Sequence, residues 1–508
     1  MPPIDLWLEG VKIALSPTNI LWLLLGSFVG LFVGILPAVG ASLGVAVMLP
    51  LTFGLDPVTG VIFLVAIHAA GNYGDSIASI LINVPGGVGT VATCWDGYPL
   101  ARKGQGGRAI GIATFGSFLG GLFSWLILVL IAGPITMLAL RFGAPEYFSL
   151  GIMALMLVGI ASKEDILKGV MMACLGLILS FVGEDPVTGV VERFAFGLPG
   201  LMAGIPIAAA CLGVFAISEM ISIAEEGGTI AQDGALRFKD SVFGGFADVI
   251  KRPFTVLRAW MVGFFIGILP ALGTSLAGIS SYLTEKSISK EGKSFGEGAP
   301  AGLLAAEVGK GSCVVGDLIP TFTVGIPGSV TAALLMAGLT IHGIIPGPGF
   351  MKAGAMPYAV FTGIVLAQSI FLISGLGLAK WFSKVLYVPI ALIVSAVVAL
   401  CFLGAYAEGN RFSDVAIMLG VGILTYVLKK LNYPTVCLVL GLILGSLVES
   451  NFHRSLAIEL GSWLVFFHRP ATIIIFGLTV LFVLFPYVEP TLRRLSRRLI
   501  KSEALKTD

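Results

Sequence analysis

The chain has 508 residues, of which 56% are hydrophobic and only 12% are charged. Soluble globular proteins carry about 25% charged residues, so this composition excludes a soluble fold. The net charge of +2 gives no argument for a nucleic-acid partner or another strongly acidic partner. We therefore predict an all-α polytopic membrane protein.

The first apolar stretch, residues 21–36, has no basic leader before it and no small-residue cleavage site after it. We interpret it as a retained membrane span rather than a signal peptide. Later stretches are apolar over most of the roughly 20 residues that a spanning helix needs. They cover residues 110–131, 357–379, 386–401 and 472–485. The whole chain is expected to have about 10–12 membrane segments.

Two sequence elements occur twice. GILPAVGAS at residues 34–42 returns as GILPALGTS at residues 267–275, an offset of 233. GDSIASILINVPG at residues 74–86 returns as GDLIPTFTVGIPG at residues 316–328, an offset of 242. The chain is therefore a duplicated unit. Broken hydrophobic segments at matching places in two halves indicate the substrate site of a transporter.

Each second element breaks at a proline–glycine pair, Pro85-Gly86 and Pro327-Gly328. Non-helical backbone at membrane depth must be buried in protein or face water, so these pairs predict re-entrant or discontinuous helices; ordinary proline kinks are the alternative. Helix N-termini at such breaks attract anions. The candidate substrate-binding residues are Ser42, Asn83, Pro85, Gly86, Ser275, Pro327, Gly328 and Ser329.

Three charged residues fall inside apolar surroundings: Asp75, Lys310 and Asp317. An ionisable group there costs about 2.5 to 3.5 kcal/mol, so it is seldom retained without a partner or a task. Lys310 could pair with either aspartate. We expect either a proton or cation site or a structural ion pair between the repeats. Oxygen atoms near Asn72 and Ser76 suit a sodium ion; no other metal site and no cofactor is predicted.

Basic segments predict which loops face the cytoplasm. They lie at 102–108, 163–168, 237–258, 285–293, 429–430 and 493–501, whereas loops around 56, 183–192, 342–349 and 408–411 are poorer in Lys and Arg. The basic loop follows the duplicated element in the first half and precedes it in the second, so the repeats should be inverted. We divide the chain into 1–218 (first repeat and following spans), 219–258 (cytoplasmic linker), 259–490 (second repeat and following spans) and 491–508 (basic cytoplasmic tail).

These ordered elements resemble the large membrane subunit of tripartite tricarboxylate transporters. The best markers are GILP at 34–37, LINVPG at 81–86, DGYPLA at 96–101, YLTEK at 282–286, GIPGS at 325–329 and PGP at 346–348. The resemblance implies a permease of the bacterial inner membrane and no enzyme. It implies a small four-span membrane subunit and a periplasmic solute-binding protein as partners, and uptake of citrate-like or other organic carboxylates driven by a sodium or proton gradient.

The chain departs from this family at its charged residues. Asp75 replaces a second glycine, Lys310 belongs to a pair that replaces two asparagines, and Asp317 takes a normally small apolar position. Two alternative functions remain. An intramembrane aspartyl protease would use Asp75 and Asp317 as a dyad that shares a proton. A non-transporting sensor or scaffold would keep only the fold.

Overall fold

The structure is a computed structural model that describes residues 4–36, 40–161, 166–185, 189, 193–226, 240–270, 272–382 and 388–484. The described part of the chain is helical and contains no strand beyond one isolated bridge between Gly183 and Arg193. The predicted tail at 491–508 lies outside the described residues. So do most of the 183–192 loop, residues 37–39 and much of the predicted linker.

The helices of the first half are α1 Ile4–Ala14, α2 Pro17–Ile35, α3 Gly40–Met48, α4 Pro57–Ile82, α5 Val91–Leu100, α6 Gly106–Ala139, α7 Ala144–Ala161, α8 Ile166–Ser180, α9 Pro199–Met202, α10 Ile207–Cys211 and α11 Ser218–Glu226. A π-helical turn at Leu212–Ile217 joins the last two.

The helices of the second half are α12 Gly244–Ile250, α13 Pro253–Ile268, α14 Gly273–Ile288, α15 Pro300–Gly316, α16 Leu318–Thr323, α17 Val330–Ile341, α18 Pro348–Met351, α19 Met356–Phe382, α20 Ile390–Gly409, α21 Phe412–Lys430, α22 Thr435–Ile458, α23 Val465–His468 and α24 Pro470–Leu484.

Eight of these helical segments are long and apolar enough to cross a membrane, and six shorter apolar helices accompany them. The longest helices in the described part of the chain are α6, with 34 residues, α19, with 27, and α4, with 26. Large apolar side chains such as Leu130, Phe265 and Leu403 face outward. The sequence-based prediction of an all-α polytopic membrane protein is confirmed.

The duplication is visible in the backbone as well as in the sequence. Gly40 and Gly273, at the starts of α3 and α14, both have a φ of 65°. Asn83 and Gly325, 242 residues apart, both take a left-handed conformation with φ values of 57° and 83°. We call residues 83–87 the first tip and residues 325–329 the second tip. Matching turns at matching positions show that the two repeats fold alike.

The repeats differ at one point along their long helices. Helix α4 of the first repeat runs unbroken through Asp75. The matching helix of the second repeat is interrupted at Asp317, where α15 ends at Gly316 and α16 begins at Leu318. Pro320 occupies the third position of α16, and the residue 242 positions earlier is Ala78. A proline there removes one backbone donor and crowds the carbonyl four residues back, which explains the break at Asp317.

Helices α4 and α15 run antiparallel past one another. His68, early in α4, contacts the carbonyl of Val314 late in α15 at 2.8 Å. Ser76, later in α4, contacts Glu307 earlier in α15 at 2.9 Å. Because these two helices are matching elements of the two repeats, the repeats are inverted, and the tips that follow them lie at opposite ends of the crossing.

Packing between the repeats is reciprocal. Helix α6 of the first repeat lies on α15, with a glycine at position 311 where any Cβ would strike the backbone of Ser117. Its counterpart α19 lies on α4, where Phe371 stacks on Tyr73 at 4.9 Å between ring centroids. The later helices pack beside this core, α8 against α22 and α10–α11 against α21. The α4–α15 crossing therefore lies at the centre of the molecule.

Candidate functional site

A buried ion pair lies at the crossing of α4 and α15. Lys310 Nζ is 2.9 Å from Glu307 Oε2, and their side chains are 1% and 0% exposed. They stand three residues apart on α15, so both project from one face of that helix. We call them the central pair.

Hydroxyl groups from three other helices satisfy the central pair. Glu307 accepts hydrogen bonds from Ser76 at 2.9 Å, Thr93 at 2.5 Å and Ser117 at 2.7 Å. Lys310 donates a short hydrogen bond to Ser76. Loss of either member of such a pair would leave an uncompensated buried charge, which is strongly destabilising. The central pair ties α4, α5 and α6 of the first repeat to α15 of the second.

The predicted oxygen ligands for sodium have other contacts here. The Ser76 hydroxyl bonds both members of the central pair, and the Asn72 amide donates to the carbonyl of His68 at 2.9 Å. A cavity of about 10 Å³, roughly the size of one water molecule, adjoins Asn72, Lys310 and Gln368. Among the described residues no group of three His, Cys, Asp or Glu side chains could hold a metal ion. Sodium near Asn72 and Ser76 stays a prediction.

Asp75 is buried under the first tip. It is 3% exposed, and its Oδ1 has no hydrogen-bond partner among the described residues. A Cβ added at Gly86 would lie 2.8 Å from Asp75 Cα. Lys310 and Glu307 lie close enough to act on the carboxylate electrostatically. The backbone of the first tip therefore rests directly on a buried carboxylic acid.

Asp317 is buried under the second tip in the same way. A Cβ added at Gly328 would lie 2.6 Å from Asp317 Cβ. Neither carboxylate oxygen has a hydrogen-bond partner in the described structure, and the side chain is 0% exposed. The nearest charge partner is His68, whose Nε2 lies 3.6 Å from Oδ1. Lys310 thus pairs with Glu307 rather than with either aspartate, and Asp317 pairs with a histidine.

The two aspartates and their neighbours are related by the repeat. An offset of 242 takes Asp75 to Asp317 and His68 to Lys310. Asp317 lies 3.6 Å from His68 of the first repeat, and Asp75 lies within electrostatic reach of Lys310 of the second. The sequence analysis did not predict His68 or Glu307 as partners of these charges, because it paired Lys310 with the aspartates. Applying the repeat offset to Lys310 would have singled out His68.

The predicted substrate-binding residues divide into an open and a closed group. At the first tip Asn83 is exposed and Pro85 half-buried, with Gly86 behind them. At the second tip Pro327, Gly328 and Ser329 are all buried. The Ser329 hydroxyl accepts a hydrogen bond from Ala332 N at 3.1 Å and caps α17.

The two serines of the shorter repeated element, Ser42 and Ser275, are half-buried near the starts of α3 and α14. Beside Ser275, Thr274 lies close to Gly89, two residues after the first tip. Its Oγ1 would lie 2.6 Å from a Cβ at Gly89, and Lys310 Cδ would lie 3.5 Å from the same point. The start of α14 and the lysine of the central pair therefore converge on the segment after the first tip.

Comparison with known proteins gives a family match. The family model described as "Tripartite tricarboxylate transporter TctA family" matches residues 20–440. A protein of Agrobacterium vitis described as "Uncharacterized 52.8 kDa protein in TAR-I ttuC' 3'region" is 33% identical over 483 residues, which are 94% of this chain and 96% of that protein. A second, "Uncharacterized protein in TAR-II ttuC' 3'region", is 30% identical over 223 residues, 44% of this chain and 92% of its own length. No solved structure gives a significant match.

Proposed function

This chain belongs to the tripartite tricarboxylate transporter TctA family, and we propose that it is the permease subunit of a binding-protein-dependent secondary transporter. In this proposal it imports organic carboxylates, tricarboxylates or related acids, at the expense of a sodium or proton gradient. The observation that carries the proposal is the inverted crossing of α4 and α15 with ionisable side chains buried under both tips.

Buried charges placed between inverted repeats support gradient-driven transport. Intramembrane ionisable groups most often mark ion pathways and substrate sites. Transporters with inverted repeats bind near the bilayer midplane, at helix breaks contributed by both repeats. The exposed first tip and the buried second tip are what a carrier open to one side would show.

The carboxylate is proposed to bind between the first tip and the start of α14. A helix N-terminus offers free N–H groups and partial positive charge to an anion. Thr274 adds a hydroxyl group close to Gly89, just after the exposed tip, and Ser275 follows it at the start of α14. Lys310 stands behind Gly89 with its charge balanced by Glu307, so the free amides and the hydroxyl groups would supply the contacts to the anion.

The family name implies a system of three parts, of which this chain is one. We propose a small four-span membrane subunit and a periplasmic solute-binding protein as the other two, and the bacterial inner membrane as their location. The binding protein would deliver the carboxylate to the loops that the charge pattern places outside. This chain itself is proposed to have no enzyme activity and no cofactor.

An intramembrane aspartyl protease requires two carboxyl groups close enough to share one proton. Asp317 lies beside His68, and His68 and Asp75 are seven residues apart on one helix, about 10 Å along its axis. At the crossing the two aspartates therefore lie beside different residues rather than beside each other. This geometry favours the transporter over the aspartyl protease.

Uptake in cells tests the proposal. The chain would be expressed with its flanking binding-protein and small-subunit genes in a host that lacks citrate uptake, and radiolabelled citrate, tartrate and succinate would be supplied. We expect uptake of at least one acid, lost when any of the three genes is removed and abolished by an ionophore that collapses the ion gradients. Uptake that persists without this chain would contradict the proposal.

A further inference from the structure

The carboxylate of Asp317 is the most isolated ionisable group at the crossing. It is fully buried, and none of the described residues donates a hydrogen bond to either oxygen. Within the described part of the chain, its one basic neighbour within 4 Å is His68, at 3.6 Å. The Nδ1 atom of this histidine also has no partner among the described residues. An ionised carboxylate in such a place is costly unless it is neutralised or paired.

The central pair differs from His68 and Asp317 in how its charges are balanced. Glu307 and Lys310 cancel each other's charge, and three hydroxyl groups complete the bonding of the carboxylate. No proton has to bind or leave for this pair to be neutral. His68 and Asp317 differ, because a neutral imidazole beside a carboxylate leaves one uncompensated negative charge. One proton, held by either residue, makes the pair neutral.

Few other titratable groups face this pair from the helices packed around it. Cys313 precedes Asp317 by one turn of α15, Tyr73 and Asp75 follow His68 along α4, and the central pair lies two turns away. On α6 and α13 the charged residues stand at the ends, where Arg108 binds Asp248 and Arg258 binds Glu285. Helices α2, α3, α16, α17 and α18 contribute no charged side chain. The other helices packed on α4 or α15 carry Asp96 and Tyr98 (α5), Tyr282, Glu285 and Lys286 (α14), and Tyr358 and Lys380 (α19).

We propose that His68 and Asp317 form a proton-binding site and that the proton bound there is the coupling ion. This proposal rests on the proposed function and deepens it by naming the ion and the residues. Water supplies the proton from one side of the membrane and accepts it on the other, so no other reactant is needed. The site uses the histidine of the first repeat and the aspartate of the second, and thus spans the repeat interface.

The second tip connects this site to movement. The backbone at Gly328 packs against Asp317, and Thr321 Oγ1 donates to the Asp317 carbonyl at 2.5 Å. The Gly328 amide in turn points at that same hydroxyl at 3.4 Å. Loss of the proton leaves a charge directly under the closed tip. The charge is then best accommodated when the tip moves and water enters.

Infrared difference spectroscopy on the purified full-length chain in lipid nanodiscs tests proton binding without any partner or substrate. Spectra would be compared between about pH 5 and about pH 8, the range in which histidine usually titrates. We expect a carboxylic-acid C=O band that disappears as the pH rises, together with imidazole bands. The C=O band should be lost in Asp317→Asn. In His68→Gln the pH at which the band disappears should change.

Two controls separate this site from other carboxyl groups. Asp414→Asn removes another fully buried aspartate, one that pairs with Arg411 away from the crossing, and should leave the band unchanged. Asp75→Asn should keep the Asp317 band and remove only the absorption of its own carboxyl group. If Asp317→Asn does not fold, Asp317→Glu should move the band to the frequency of a glutamic acid. A band unchanged in Asp317→Asn, or in Asp317→Glu, would overturn the proposal.

Transport then tests whether the bound proton is the coupling ion. In proteoliposomes of the whole three-part system, Asp317→Asn should lose citrate uptake driven by a pH gradient but keep citrate counterflow. Wild-type uptake driven by a sodium gradient alone would overturn the coupling claim and leave the transporter assignment standing. Proton binding at the site without uptake of any carboxylate would instead contradict the proposed function.

Discussion

The charged side chains at the crossing have different physical roles. Glu307 and Lys310 balance each other's charge and have hydrogen-bond partners, whereas Asp75 Oδ1 and both carboxylate oxygens of Asp317 have no donor among the described residues. A satisfied buried pair fixes the relative position of helices. A buried carboxylate without donors is a place where a proton or a cation can bind. Structure and coupling are thus assigned to different residues within one cluster.

The central pair should be far more sensitive to single than to double substitution. Lys310→Met leaves Glu307 buried and uncompensated, which is expected to cost about 3 to 5 kcal/mol in the free energy of unfolding. The double variant Glu307→Gln with Lys310→Met should lose much less. Denaturant unfolding in mixed micelles measures both.

The matched control is the exposed pair Lys429 and Glu219, whose lysine side chain is 43% exposed. Lys429→Met should change the free energy of unfolding by about 1 kcal/mol or less. Equal losses in the single and double variants of the central pair would show that its charges do not compensate each other.

Asp75 should be needed for driven uptake but not for folding. Asn has nearly the same shape and is permanently neutral, so Asp75→Asn imitates the protonated side chain under the first tip. We expect a normally folded protein that loses gradient-driven citrate uptake and keeps counterflow, since exchange does not require return of an empty carrier. Normal uptake with unchanged ion dependence, in this variant and in Asp317→Asn, would make both aspartates structural.

The sequence pointed to part of this cluster. Intramembrane charge alone identified Asp75, Lys310 and Asp317, because charge stands out against apolar neighbours. Partner choice was not predictable, since it depends on how two antiparallel helices align in register. Glu307 was overlooked as a partner although it lies one turn from Lys310, and Ser117 and Thr93 carry no sequence signal beyond ordinary small polar residues.

At the scale of helices and turns, the tips are the parts that the sequence predicted most closely. The proline–glycine pairs lie where each long helix ends, and Asn83 and Gly325 take the left-handed conformation that ends a helix. A further break, at Asp317, was not predicted from the sequence and occurs in the second repeat alone. Pro320 accounts for it, and its counterpart Ala78 leaves α4 continuous.

A methyl group at either tip glycine should impair movement of the tip. A Cβ at Gly328 would lie 2.6 Å from Asp317 Cβ, and one at Gly86 would lie 2.8 Å from Asp75 Cα, both too close for real contacts. Gly328→Ala and Gly86→Ala should therefore sharply lower the maximal rate of citrate uptake. Gly420→Ala, at a helical glycine with nothing within 4 Å, is the control. Uptake as fast in the tip variants as in the control would show that the tips do not pack as described.

The border between the repeat core and the later helices is loosely packed on one side. An apolar cavity of about 450 Å³ lies between α2, α3 and α20, with Phe32, Leu43 and Val397 in its wall. Apolar surfaces without interlocking polar contacts can slide at low cost. We therefore propose that the tips and the long helices move as a unit against a more static scaffold, in an elevator-like manner.

At the scale of the whole molecule, the inverted duplication was predictable because two elements recur at nearly the same offset and the basic loops change order. The antiparallel crossing of α4 and α15 confirms it. What the sequence could not predict is the difference in exposure of the two tips, because that depends on the state of the carrier. The residue limits proposed for the repeats and the linker remain predictions.

The binding protein is predicted to dock on the loops assigned to the outside. These lie near Asp56, at 183–192 and at 342–349; the middle one falls largely outside the described residues. A photoreactive amino acid placed at Leu55 or Ile345 should crosslink to the flanking binding protein, and one at Lys103 should not. Crosslinks formed only from Lys103 would show that the loops have been assigned to the wrong sides of the membrane.

Concentrative uptake into proteoliposomes tests the central claim most directly. This chain would be reconstituted with the small subunit, supplied with loaded binding protein outside, and given either a pH gradient or a sodium gradient without ATP. The account predicts accumulation of a carboxylate above its outside concentration under the pH gradient, unchanged in Asp414→Asn and lost in Asp317→Asn. Failure of the complete system to accumulate any carboxylate under either gradient would contradict it.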